Sequence, residues 1–377
     1  MAEVSKISFN RKDASQFFPE VKARVTEYFT KNNISMNANG SMYFKVVFIL
    51  FFYALTYALL ITTSFSPWIM FVVAGVHGFF TALIGLNIGH DAIHGAFSKN
   101  QRLNKIMGLG FNIIGASDYM WKITHNIVHH TYTNIPGHDE DIDQIPLLRL
   151  NPKQELWWIH KFQHLYAFLL YPLASFTWVF IKDYKKFFAE KIGERKNEHP
   201  KIEYFRLFFF KAMYYTIFLV IPLIFIDMAW WQILIGFFFA HLVEGLTISA
   251  VFQLAHVVEG PEFPEPDDMG NMENSWAIHQ MKTTADFAPK NPLVDFFFGG
   301  LNFQIEHHLF PYICHVHYKH IAPIVKATAK EHGVPYYENK SFMSAIRSHI
   351  EELKVLGKPT VIEAKVATSK KVLSQVS

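Results

Sequence analysis

The sequence predicts an all-α integral membrane protein: four transmembrane helices in two hairpins, with interfacial helices and a cytoplasmic helical cap that carries a metal site. Three observations predict it. Residues 46–89 contain no Asp, Glu, Lys or Arg, a run long enough for about two crossings at ~20 residues each. A second apolar pair runs from about 207 to 226 and, past Asp227, from Trp230 to about 252. Histidines collect beside these runs, as HDAIH at 90–94, HNIVHH at 125–130 and QIEHH at 304–308. Composition agrees, because 51% hydrophobic and 16% aromatic residues, with 38 Phe among 377, exceed what an ordinary soluble enzyme carries. A net charge of +3 gives no reason to expect a nucleic-acid partner, and the single cysteine, Cys314, rules out an internal disulfide and reads as a small buried residue.

Taken in order, residues 1–42 form a polar arm with no signal-peptide pattern. Within it Phe17, Phe18, Val21, Val25, Tyr28 and Phe29 recur at helical spacing, with Lys22, Arg24 and Lys31 between them. Such an amphipathic helix either lies on a membrane surface or packs its apolar face against protein. Residues 43–357 make up the membrane domain and its cap, and 358–377 a polar, disordered tail. The first hairpin turns at Ser64–Trp68, where Pro67 breaks the helix and Trp68 suits the interface. Lys and Arg are absent from both hairpin connectors but abundant in 1–45, 182–206 and 316–371. The positive-inside rule therefore puts both termini, the central segment and all three histidine clusters on the cytoplasmic side.

Leu165–Ile181 is uncharged and close to the ~17-residue minimum for a span. Were it to cross alone, the second and third clusters would face opposite sides, so it is read as an interfacial or re-entrant pair broken at Pro172. Residues 106–116 are also read as interfacial. From Pro323 to Gly357 the pattern predicts two cytoplasmic helices, each ended by glycine.

Neutral imidazole ligates iron, copper, nickel and zinc, and i, i+4 spacing stacks two rings on one helix face. His90 and His94 alone would pass as packing. They follow a membrane span directly, where polar groups are costly unless functional. The second cluster adds His125, His129 and His130, with the third ring about 100° around the helix; the third adds His307 and His308, with Gln304 one turn earlier.

The segments GHDAIHGAFS, WKITHNIVHHTYTN and FGGLNFQIEHHLFP resemble the three histidine boxes of the membrane fatty acid desaturase family, a likeness that extends over about residues 43–357. Gln304 at the head of the third box resembles the front-end subgroup (delta-6-like, linoleoyl-CoA desaturase type), which inserts a double bond between an existing one and the carboxyl end. The resemblance implies two irons held almost wholly by histidine, with one more histidine just beyond the fourth span, which FQLAH supplies as His256. Carried over by position, the ligands are His90, His94, His125, His129, His130, His256, His307 and His308, with Gln304 binding through its amide oxygen, holding a water, or neither. The resemblance further implies O2 as co-substrate, a fatty acyl-CoA or acyl-lipid substrate drawn from membrane lipid, and an external ferredoxin or cytochrome b5 type donor, since this sequence contains no HPGG haem signature. The basic stretch 182–206 either docks that donor or serves topology and anionic lipid.

Asp91, and Asp139 and Asp141 from the acidic run that continues to Asp143, are candidates to orient metal-bound imidazoles; solvated loop charge is the alternative for that run. His315, His317 and His320 match no ligand position and read as surface or interfacial histidines. His241 and Glu244 lie inside the fourth span, too far from His256 to share its metal, and read as structural or tunnel-lining. His279-Gln280 falls where relatives build part of the substrate cavity. Among competing chemistries, a hydroxylase shares the fold and differs in product mass. A membrane zinc hydrolase typically needs only three protein ligands, and a transporter places its ligands near the bilayer midplane.

Overall fold

The computed structural model describes residues 7–10, 16–142, 145–193 and 195–359; Asp143 and all but the first two residues of the predicted tail lie outside them. The chain is mostly helical, and four helices are long and apolar enough to cross a membrane: α2, Gly40–Thr62; α3, Pro67–Ile93; α6, Lys201–Phe225; and α7, Trp230–His256. Asn39 starts α2 by accepting the Met42 backbone N–H at 3.1 Å, which satisfies a donor that the first helical turn leaves free. Pro67 opens α3, where its missing N–H costs nothing.

α3 is the inner helix, with 67% of its apolar window enclosed against 22–28% for the other three. α2 and α6 instead turn Phe44, Phe51, Phe205, Phe208 and Phe209 outward, as lipid-facing helices do. α3 and α7 run side by side in the same direction. Their first turns share an apolar cavity of about 660 Å³, between Trp68 and Trp231, and their last turns carry His90 and His256. Glycine permits this approach, since a Cβ on Gly78 would lie 2.1 Å from the Ala240 carbonyl oxygen.

Leu165–Ile181 falls within two helices, α4, Trp158–Leu170, and α5, Leu173–Phe187, bent by 77°. The break falls at Tyr171–Pro172, as the missing donor of proline requires. α7 presses against this corner: a Cβ on Gly245 would meet the Pro172 carbonyl at 2.1 Å.

The remaining elements pack over the histidine end of the spans. α1, Phe17–Lys31, buries Phe17, Val21, Val25 and Phe29 against Ile321, Val325 and Ala329 of α10, Tyr318–Glu331. Of the two uses open to this amphipathic helix, packing against protein is the one adopted; a fully buried Val or Phe contributes about 1.5–3 kcal/mol. Between them lie α8, Trp276–Thr283, and α9, Gln304–Leu309, and α11, Phe342–Leu356, follows. Residues 285–287 and 337–339 pair as short parallel strands, with Asp286 opposite Glu338. α10 begins at Tyr318 rather than Pro323, because a 3-10 turn at His315–His317 feeds it and Pro323 forgoes only one intrahelical bond. His349 of α11 anchors the chain beyond α7, at 2.6 Å from the Val257 carbonyl and 2.8 Å from the Tyr171 hydroxyl.

Candidate metal centre

The three boxes reach one place by different local means. The first box closes α3, whose ladder slips into a π-turn over Ile84–Gly89 before the α-turn at His90–Ile93. The second lies on a π-turn, Lys122–His129, entered from Asp118–Trp121. This corrects the α-helical geometry expected for HNIVHH. Residues i and i+5 point about 140° apart on an α-helix, whereas the wider i→i+5 turn brings them together; the Nε2 atoms of His125 and His130 are 3.3 Å apart. The third box is α9, fully buried from Gln304 to Leu309.

The imidazoles form two adjoining groups. His90, His94, His125 and His307 offer ligand atoms within 4.8 Å of one another, as do His129, His256 and His308; His130 joins them through a third set with His307 and His308. His90 Nε2 lies 3.1 Å from His125 Nε2. Burial holds His94, His125, His130, His307 and His308 well below the usual imidazole range, and neighbouring histidines deepen the effect. They are neutral at pH 7, with lone pairs free to bind metal. His129 is the exception: burial lowers its pKa, but the Asp139 and Asp141 carboxylates together outweigh burial and raise it overall.

In the second group each ring is oriented from outside. His129 Nδ1 is 3.0 Å from Asp139, His256 Nδ1 3.2 Å from the Thr283 carbonyl, and His308 Nδ1 2.7 Å from Gln280 Oε1. Gln304 completes this group, with its amide nitrogen 3.0 Å from His256 Nε2 and 3.3 Å from His308 Nε2, while Oε1 is buried without a partner among the described residues. A half-turn of the amide exchanges the two atoms without changing its shape.

These residues fit a metal. Nitrogen ligands at ~2.1 Å from one cation stand roughly 3.0 Å apart at right angles and 3.4 Å apart in a tetrahedron, the range of the nitrogen contacts here. The Nε2 atoms of His94, His129 and His307 are buried without a hydrogen-bond partner among the described residues, a costly arrangement unless something binds there.

The family profile described as Fatty acid desaturase matches residues 64–340 of this sequence. The chain belongs to the fatty acid desaturase family. It is 37% identical over 351 residues to the sn-1 linoleoyl-lipid 6-desaturase of Arthrospira platensis, covering 93% of this chain and 94% of that one. It is 36% identical to the acyl-lipid (8-3)-desaturase of Physcomitrium patens, over 90% of this chain and 72% of that one. With the sn-1 linoleoyl-lipid 6-desaturase of Synechocystis sp. (strain ATCC 27184 / PCC 6803 / Kazusa) the identity is 33%, over 95% of this chain and 99% of the other. As a family member the chain is an oxidoreductase of fatty acyl chains, with a histidine cluster suited to metal.

All nine candidate ligands of this desaturase lie in the cluster. The three candidate orienting carboxylates divide. Asp139 faces His129 directly, and Asp141 stands 3.6 Å from His129 and 3.6 Å from Lys182. Asp91 turns away from the boxes and accepts from the His315 backbone N–H at 3.1 Å and faces its Nδ1 at 2.9 Å. His315 and His317 are therefore not surface residues: both are buried, and His315 Nε2 meets Lys45 Nζ at 2.8 Å. His320 is exposed. His241 and Glu244 belong to a polar node away from the metal site, in which Ser175 and Tyr214 lie 2.8 and 3.0 Å from the two nitrogens of His241. Within the basic stretch, Lys182, Lys186 and Arg206 pair with Asp141, Glu140 and Asp118.

Apart from Asp139, which the acidic run suggested for His129, sequence reasoning missed the partners that the boxes need. Gln280 and the Thr283 carbonyl lie on α8, and Tyr318, 3.3 Å from His307 Nδ1, opens α10. The dipeptide His279-Gln280 was the only signal, and nothing in it pointed to His308.

Proposed function

We propose that this desaturase inserts a cis double bond into an acyl chain of a membrane lipid, on the carboxyl side of an existing one, using O2 and two histidine-held irons. The observation that carries the reading is the meeting of all three boxes and His256 in one buried cluster, with Gln304 where a ninth ligand would stand. Relatives that are linoleoyl-lipid and acyl-lipid desaturases favour a lipid-linked substrate over acyl-CoA.

The reaction balances as CH2–CH2 + O2 + 2 electrons + 2 protons giving CH=CH + 2 water. When bound, iron supplies the oxidising power that no side chain has, since an unactivated C–H bond yields to no acid, base or nucleophile of the protein. The chain's own residues hold, orient and exclude. His90, His94, His125 and His307 would hold one iron and His129, His256, His308 and Gln304 the other, with His130 between them. Asp139, the Thr283 carbonyl and Gln280 each fix one ring with Nε2 turned inward.

In this reading the acyl chain passes a small apolar crevice beside His90, of about 10 Å³ between Gly85, Leu86, Phe111, Trp121, Trp178 and Phe252, whose walls must part to admit it. Position there decides which carbons react, because a displacement of ~1 Å can cost 100-fold in rate. Residues 43–357 form the catalytic domain in this reading, with 1–42 an arm whose helix α1 packs on it. The four spans pair as two hairpins, and both termini and the centre face the cytoplasm, where a ferredoxin or cytochrome b5 type protein delivers electrons. The charge pattern of the connectors supports this topology.

Expression in a host fed defined unsaturated fatty acids, followed by mapping of double bonds in its lipids, tests the reading. Loss of two hydrogens on the carboxyl side of an existing double bond is expected. A product heavier by one oxygen would make the chain a hydroxylase.

A further inference from the structure

We propose that Gln280 is a positioning residue of the metal centre: its side-chain amide fixes the His308 ring with Nε2 turned inward and ties the third box to the second. The inference rests on the reading that the box histidines hold iron.

Gln280 is wholly buried on α8. Its Nε2 points to the His130 carbonyl at 3.3 Å and its Oε1 to His308 Nδ1 at 2.7 Å and the Thr133 hydroxyl at 2.9 Å. A carbonyl can only accept, so the NH2 end must face His130 and the oxygen must face His308. The oxygen in turn can only accept, so the proton of His308 sits on Nδ1. This leaves Nε2 with its lone pair, turned toward His256 and Gln304. With the amide reversed, the proton would move to Nε2 and His308 could not ligate.

α8 donates no ligand yet grips the cluster at several points. Trp276 Nε1 donates to the His130 carbonyl at 3.0 Å, His279 Nε2 meets the Thr133 carbonyl at 2.8 Å, and the Thr283 carbonyl holds His256. Hydroxyls of Thr283 and Thr284 brace its last turn by donating to the carbonyls of His279 and Gln280 at 2.9 and 2.6 Å. Gln280 is the member of this set whose side chain fixes a ring proton.

The test uses the full chain, purified with iron in mild detergent, as wild type, Gln280→Leu, Gln280→Glu and His129→Ala. Iron per chain under graded chelator is measured, with the visible spectrum of the cobalt(II)-loaded proteins and thermal midpoints alongside. Gln280→Leu is expected to hold iron about 10–100-fold more weakly, the usual cost of losing the outer partner of a ligating imidazole, and to shift the cobalt spectrum. Gln280→Glu, protonated toward His130, reproduces both bonds and is expected to recover retention to within roughly threefold of wild type. Undiminished retention in Gln280→Leu would overturn the proposal. So would equal loss in both variants with lowered midpoints, which is the signature of packing alone. Full iron in His129→Ala with loss in Gln280→Leu would count against the ligand assignment at His129 and not against Gln280. A wild-type protein that binds no iron would end both readings.

Discussion

The two groups of imidazoles differ in what holds them. In the second, each of His129, His256 and His308 has Nδ1 engaged by a carboxylate, a backbone carbonyl or an amide oxygen. In the first, Nδ1 of His90 and His125 has no partner among the described residues, and His307 has only the Tyr318 hydroxyl at 3.3 Å. Ring packing substitutes there: Trp121 lies flat on His125, with centroids 4.7 Å apart and planes 16° apart, and His90 and His94 are edge to face at 4.8 Å. Rings whose far nitrogen is fixed are oriented, with their proton placed, before any metal arrives. Rings held only by packing can swap tautomers until a metal selects one. On the proposed ligand assignment, the second group is preorganised and the first would be completed by its ion.

The largest expected effect is common to both groups. His125→Ala and His129→Ala each remove a proposed ligand, and product is expected to fall by more than the ~10–100-fold that losing an outer partner costs in affinity or activity. Lipid analysis of cells that carry the inserted variants measures this, and full turnover in either would remove that residue from the ligand set. The contrast itself is sharpened by graded chelation of the iron-loaded protein. Iron is expected to leave in two phases, with the first group emptied earlier. A single phase would break the distinction drawn between the groups.

Next in size is Asp139→Asn, which keeps an oxygen near His129 Nδ1 but removes the charge that raises the ring's pKa against burial. Iron retention is expected to weaken by about 10-fold, the lower end for such a partner, and the slow phase of chelation should accelerate while the fast phase holds. Acceleration of the fast phase alone would mean that Asp139 serves the other group.

Much of this fold was legible because its signals are local. Four apolar runs, a proline at a helix break and histidines at fixed spacing each occupy a few consecutive residues. What escaped depends on contacts between distant parts of the chain. Asp91 and His315 are 224 positions apart, so nothing beside either residue announces that the carboxylate spends its acceptors there and not on a box. Gln280 and His308, 28 apart, lie on separate helices with no shared period. The π-turn at Lys122–His129 escaped for another reason: one shifted hydrogen-bond register leaves no mark on composition. The candidate ligands were therefore readable as a set, and Asp139 as an orienting carboxylate, whereas their grouping and the partners on α8 and α10 were not.

Acid should expose the same contrast in metal-depleted protein. His94, His125, His130, His307 and His308 have folded pKa values pushed down by burial, from an unfolded value near ~6.5. For each, the unfolded chain binds the proton more readily, so its contribution to stability is intact above pH ~6.5 and is lost as pH falls below that. His129 has the opposite sign: its raised pKa contributes below pH ~6.5 and fades as pH rises through the folded value. Three of the five depressed residues belong to the first group and one bridges the two. The thermal midpoint of chelator-treated protein should therefore drop between pH 7 and 5, and drop far less once iron is restored. A midpoint that rises on acidification would mean that His129 and Asp139 dominate.

The smallest expected effect tests the weakest bond. Tyr318→Phe removes the hydroxyl 3.3 Å from His307 Nδ1, at the long end of hydrogen-bond geometry, and leaves the buried ring in its apolar setting beside Ile321 and Phe310. A neutral hydrogen bond contributes about 0.5–1.5 kcal/mol net, and one this long falls at the low end. Iron retention in the first group should change by only about twofold, from a bond worth roughly 0.5 kcal/mol, with turnover nearly intact. If Tyr318→Phe instead weakened retention as strongly as Asp139→Asn, His307 would be held from outside just as His129 is. The first group would then no longer depend on ring packing and metal to settle its tautomers.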